Sequence, residues 1–191
     1  MNLTSTLLAA AAVFTLAGGA HAAVISTVFS ADGRVPIYDA PTSAAISTLN
    51  FTGHGRVLDV NVLLDITHGW DADLVISLSH GGRTVLLSKN QGGAGGANYT
   101  NTVFDDQATV AINAGFAYAP FSGRFRPQAA LSAFNGMDPF GLWTLSVLDV
   151  EAADEGTINY FGIAAAVPEP GTLALLSLGL AGFALARRKK S

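Results

Sequence analysis

The segment Arg56-Val57-Leu58-Asp59-Val60-Asn61-Val62-Leu63-Leu64-Asp65-Ile66 sets the pattern for the middle of the chain. Leu58, Val60, Val62, Leu64 and Ile66 alternate with Asp59, Asn61, Leu63 and Asp65. A period of two sends successive side chains to opposite faces of a strand, one buried and one largely wet. His68-Gly69-Trp70-Asp71-Ala72-Asp73 then has the composition of a turn. Leu74, Ile76 and Leu78 share one face of the next strand, with Ser77 and Ser79 opposite. His80-Gly81-Gly82-Arg83 reads as a hairpin turn leading into Thr84-Val85-Leu86-Leu87.

Further along, Gln91 to Ala97 is a glycine-rich loop and Ala108 to Ile112 has the make-up of a short strand. Phe121 to Gly136 reads as a long connection containing Gly123 and Pro127. Phe134-Asn135-Gly136 supplies a turn whose glycine accepts positive φ. Leu142 to Leu148 and Thr157 to Ala165 are two strands around an Asp154-Glu155-Gly156 turn. Trp143, Leu145 and Val147 alternate in the first of them, so a large aromatic anchors one sheet of the core. No amphipathic helix stands out from Ile46 onward. Many short strands with Gly-rich turns predict an all-β fold, a sandwich or jelly roll.

The two ends have a different pattern. Leu7 to Leu16 is a short apolar run followed by Ala20-His21-Ala22. An apolar core before a small-x-small site is the layout of a secretory signal peptide, here residues 1–22, cleaved between Ala22 and Ala23. No Lys or Arg precedes the run, so only the α-amino group supplies the usual positive charge. Residues 23–43 then form a lead-in and residues 44–166 the β domain.

At the other end, Pro168-Glu169-Pro170 precedes the uncharged stretch 171–186 and the basic tail Arg187-Arg188-Lys189-Lys190. As a helix that stretch spans about 24 Å, against about 30 Å of hydrocarbon. Flanking Arg and Lys side chains snorkel to the interface and make up the difference. The basic cluster stays on the cytoplasmic side and sets the orientation. Both prolines interrupt any helix arriving from the domain. The order of motif, helix and basic end over residues 167–191 resembles the PEP-CTERM sorting signal. That resemblance implies passage through the inner membrane, recognition by an exosortase, and removal of the helix. A permanent single-span anchor is the alternative.

Composition sharpens this picture once the ends are set aside. Four of the ten Lys/Arg lie in the tail, leaving six. Glu169 is the one acidic residue of fourteen outside residues 23–167, leaving thirteen there and a formal charge of −7. Such a balance argues against nucleic acid and anionic lipid as partners. Without cysteine, the chain has no disulfide, thiol nucleophile or zinc-thiolate site.

Several domain segments, taken in order, resemble the P domain (Homo B) found beside the catalytic domain of kexin- and furin-like proteases. They are Val57 to Val62, Asp65 to Leu74, Phe104-Asp105-Asp106, Pro120 to Gly123, Leu131 to Gly136, Gly141 to Leu145 and Gly156 to Asn159. The resemblance implies a jelly-roll β-sandwich. Two departures are Ser79-His80-Gly81-Gly82, where the family often has Ser-Pro-x-Gly, and Phe161, where it often has Trp.

Chemistry is sparse. There is no Gly-x-Ser-x-Gly elbow, and His54, His68 and His80 lack the helical spacing of a zinc protease. The glycine run lacks a Gly-Lys-Ser/Thr ending, so it reads as a loop and not a phosphate cradle. Asp71 and Asp73 in one turn and Asp105 and Asp106 in another are candidate calcium ligands, since calcium takes hard oxygen donors from loops. The expectation is a non-catalytic module in an interaction or structural role. Alternatives are docking to a separately encoded protease, or to a polysaccharide, and an unrecognised hydrolase.

Overall fold

The computed structural model describes residues 23–39, 43–93, 96–114 and 119–168. Two sheets pack face to face. The larger is built from β1 (Ala23–Phe29), β2 (Val35–Ile37), β4 (Asp59–His68), β7 (Tyr99–Phe104), β8 (Phe121–Phe125) and β10 (Gly156–Pro168). Its order is β1-β10-β4-β7-β8, with β2 also on β10. The smaller holds β3 (Ala45–Phe51), β9 (Gly141–Asp149), β5 (Leu74–His80) and β6 (Arg83–Lys89), in that order. All pairs are antiparallel except β7 with β8.

Alternation decides which residues meet between the sheets. Val60, Val62, Leu64 and Ile66 of β4 are buried, facing Trp143, Leu145 and Val147 of β9 and Leu74, Ile76 and Leu78 of β5 in one core. β10 keeps its apolar face inward through a bulge. Its register against β4 shifts between Ile158 and Tyr160, which returns Phe161 to the core three residues after Ile158. The His80/Arg83 hairpin forms as its sequence requires, with Gly81 and Gly82 both at positive φ. Gly136 has φ +86°, as the turn after Phe134 demands.

Four details differ from the pattern-based expectation. Leu58 precedes β4 and is exposed, because Val57 takes the buried place beside it, its N–H bonding the Met137 carbonyl while the Leu58 N–H bonds the Ala166 carbonyl of β10. Ala108 to Ile112 is not a strand; only Ala111 bridges, to Arg126. Phe121 to Gly136 is no plain connection, since it contains β8 and a 3₁₀ turn at Leu131–Phe134. The strands flanking Asp154-Glu155-Gly156 lie in different sheets, so this segment crosses the sandwich and is not a hairpin.

Ala23–Phe29 and Val35–Ile37, expected as lead-in, are strands along the outer edge of β10. Ala23 opens β1 and Pro168 closes β10, whereas Ala22, Glu169, Pro170 and the basic tail from Arg187 to Lys190 lie outside the described residues. The expected signal peptide and sorting helix lie outside them too. Among the described residues no helix is long and apolar enough to cross a membrane.

Candidate functional site

Strand directions give the sandwich two unlike ends. β4, β6 and β9 finish where β5, β7 and β10 begin, so the loop residues 69–73, 90–93, 96–98 and 150–155 gather at one end. That end carries Asp71, Asp73, Asp149, Glu151, Asp154 and Glu155, with Asp39 at the close of β2. Lys89 is the basic residue at the end of β6. The opposite end carries Arg56, Arg83, Arg124 and Arg126 against Asp59, Asp105, Asp106 and Asp138.

At the centre of the acidic end lies His68, fully buried with Asp149. Its Nε2 is 3.2 Å from Asp149 Oδ2, and its Nδ1 lies 3.1 Å from the Trp70 amide. Nδ1 also lies 2.9 Å from the Trp70 carbonyl oxygen, so the ring is held on both sides of the turn. Gly156 permits this packing, because a Cβ there would stand 2.5 Å from the His68 ring.

Asp73 caps no amide and bonds no side chain, yet it is 9% exposed. Burial raises its pKa, and the charges of Asp149, Asp154 and Glu151 raise it further while His68 opposes them. Its carbonyl accepts the Val150 N–H at 2.9 Å, which ties the two acidic loops together. Asp154 folds over Gly69, where a Cβ would stand 2.1 Å from Oδ1. Ala153 is held at φ +107°, and its N–H donates to Asp39 Oδ1 at 2.9 Å.

Asp71 turns the other way, beneath the glycine loop. Its N–H donates to the Gly96 carbonyl, and its Oδ1 accepts the Asn98 N–H at 2.9 Å. Oδ2 is buried without a partner. Burial therefore pushes the carboxyl up to about 7, against the pull of the Asn98 amide. Gly92 makes the close approach possible, since a Cβ there would meet Asp71 Cβ at 2.8 Å. The glycine run thus covers a carboxyl group.

The structure does not bring Asp105 and Asp106 to this place. Asn98, bonded to Asp71, and Asp105 bracket β7, roughly 20 Å apart along the strand at about 3.3 Å per residue. Asp105 accepts from Arg124 Nε at 3.0 Å and from the Gln107 N–H at 2.8 Å. Asp106 accepts the Leu131 and Ser132 amides at 2.8 and 2.7 Å, satisfying the open donors of the 3₁₀ turn. Among the described residues no three His, Asp or Glu side chains are set to hold a metal ion. The four-aspartate site expected from sequence is therefore not assembled. Asp149, Glu151 and Asp154, whose charges act on Asp73, were hidden behind the hairpin reading of the β9–β10 segment.

Residues 57–165 match the proprotein convertase P-domain. The chain belongs to the proprotein convertase P-domain family. Residues 166–189 match the PEP-CTERM protein-sorting motif, which implies export and surface sorting through an exosortase-type system. Two curated relatives of this P domain are named calcium-dependent protease, from Nostoc sp. and Trichormus variabilis. Each is 29% identical over 137 residues, 70% of this chain but 17% of the relative. Among solved structures, the Aeromonas sobria serine protease in complex with its chaperone is similar at a TM-score of 0.48. It is 16% identical, over 77% of this chain and 28% of that one.

Proposed function

We propose that this P domain is a non-catalytic jelly-roll module, exported and then delivered to the cell surface or extracellular matrix through its sorting tail. The pairing of Ala23 with Pro168 carries this reading. The expected signal-peptidase point and the first proline of the sorting motif leave the same end of the sandwich. A tail held in the inner membrane by Arg187 to Lys190 puts the charge-balanced end beside anionic lipid and directs the acidic loops outward. Trp70 and Val150, 37% and 40% exposed on those loops, are the apolar contacts offered to a separately encoded protease or a matrix polysaccharide. Intact mass of the exported protein tests the processing. The expected species starts at Ala23 and lacks Arg187 to Lys190, whereas a mature species that keeps them is a permanent anchor.

Calcium at the acidic end is a second reading, supported by Asp73 and by the name of the Nostoc relative. Asp105 and Asp106 do not fit it, because the protein already satisfies both. Asp73 is a buried carboxylate without a hydrogen bond that feels the charges of Asp149, Asp154 and Glu151, so a cation would have to draw these loops closer than the structure holds them. A cation drawing these loops together would stabilise the fold by about 2.7 kcal/mol at a hundred times Kd. Melting in millimolar CaCl₂ against chelator is the measurement, with Asp73→Asn and Asp154→Asn expected to remove the difference. An unmoved wild-type melting temperature ends the calcium reading.

A further inference from the structure

The P-domain match stops at residue 165 and the sorting match begins at 166, yet β10 runs on to Pro168. β4 accompanies β10 only as far as Ala166, opposite Asp59. Val167 and Pro168 are paired by β1 alone, through Val24 and Ala23. The first residues of the expected mature chain therefore hold the first residues of the sorting segment in the sheet.

β1 is attached unevenly. At its far end the Phe29 ring lies against Gly162, where a Cβ would stand 2.6 Å away, and the Ser30 N–H donates to the Phe161 carbonyl at 2.8 Å. Val28 packs on the core. Phe29 is itself 52% exposed, so the hold at that end rests on Val28, the Gly162 contact and the Ser30 hydrogen bond; toward the exit, Val24 and Ile25 are 44% and 70% exposed with no such contacts among the described residues. Such a strand peels from the Ala23 end while Val28 stays on the core.

We propose that β1 is a releasable cover on the sorting segment, which it shares with the processing enzyme by competition. This rests on the exosortase reading above. Extended peptides are commonly taken up by adding a strand to an enzyme's own edge. Along residues 166–168 the edge such an enzyme needs is the one β1 occupies, because the other side is taken: the Leu58 N–H donates to the Ala166 carbonyl at 2.8 Å, and Gly55 lies against the Val167 side chain. Docked, β1 excludes the enzyme. Released, it exposes the backbone of Val167 and Pro168 and lengthens the chain leading to Glu169.

The test uses the full chain in a host that carries the sorting system, with tail removal followed by pulse-chase and intact mass. Val24→Cys with Val167→Cys joins a directly opposed pair in a chain that has no other cysteine. This lock is expected to slow tail removal about tenfold or more, with reductant restoring it, as the competent fraction falls. Ser26→Pro with Thr27→Pro removes donors of both alternating sets and is expected to speed removal several-fold. Reversal of the lock within one protein guards against misfolding of the proline variant. Normal removal from the oxidised lock overturns the proposal alone. A wild type that keeps its tail while a control sorting substrate is cleaved overturns the exosortase reading, and this proposal with it.

Discussion

His68 and Asp149 form a fully buried pair, Nε2 to Oδ2 at 3.2 Å, that joins the last residue of β4 in one sheet to the last of β9 in the other. It clamps the two sheets at the acidic end. Removing one partner leaves the other buried without its counter-group, at a cost of about 3–5 kcal/mol. His68→Ala is therefore expected to lower stability by that order in denaturant unfolding. Asp149→Asn, which keeps a hydrogen-bonding group facing Nε2, should cost less. A loss from His68→Ala with none from Asp149→Asn or Asp149→Ala would mean that the ring's packing against Gly156, and not the pair, holds the sheets.

Asp71 makes stability depend on pH. Its folded value of about 7 lies above the ordinary 3.8 of an unfolded aspartate, so the protonated form favours the fold. That contribution is fully present below the unfolded value and is lost as pH rises through about 7. A gap of this size corresponds to about 4 kcal/mol across the window. In chelator, Asp71→Asn should melt higher than wild type at pH 8 and lose most of the slope between pH 5 and 8. The asparagine retains an Oδ1 for the Asn98 amide. A variant no more stable than wild type at pH 8 contradicts the assignment.

Trp143 is the largest fully buried side chain. Its Nε1–H donates to the Pro139 carbonyl at 2.9 Å, and its ring stacks on His80 with centroids 4.0 Å apart. Trp143→Ala empties the core between the sheets and leaves the Pro139 carbonyl unpaired, at about 3–5 kcal/mol. Thermal melting checks this. An unchanged melting temperature would mean the core does not depend on this ring.

The core was legible in the sequence because each central strand buries one face only. Val60, Val62, Leu64 and Ile66, and Trp143, Leu145 and Val147, stand inside as their alternation required. The connections were not legible to the same degree. Asp154-Glu155-Gly156 has hairpin composition, yet composition does not record that the strands on either side belong to different sheets. That crossing brings Asp154 and Asp149 to Asp73. Asp105 and Asp106 have the composition of exposed ligands but are fixed by Arg124 and by two backbone amides, partners that only the fold supplies. β1 was illegible for a further reason. Most of its side chains are exposed, so its pairing rests on backbone hydrogen bonds that leave no apolar period in the sequence.

The separation of the two ends has a consequence for how the domain is felt from outside. β4 alone, ten residues long, spans about 33 Å at roughly 3.3 Å per residue. The screening length in physiological salt is about 8 Å. Charges at the acidic loops are therefore invisible to anything touching the arginine-bearing end, and the reverse holds as well. Electrostatically the domain acts as two independent surfaces on one rigid spacer. A neighbour arriving at the loops meets an anion, whatever lies beneath Ala23 and Pro168.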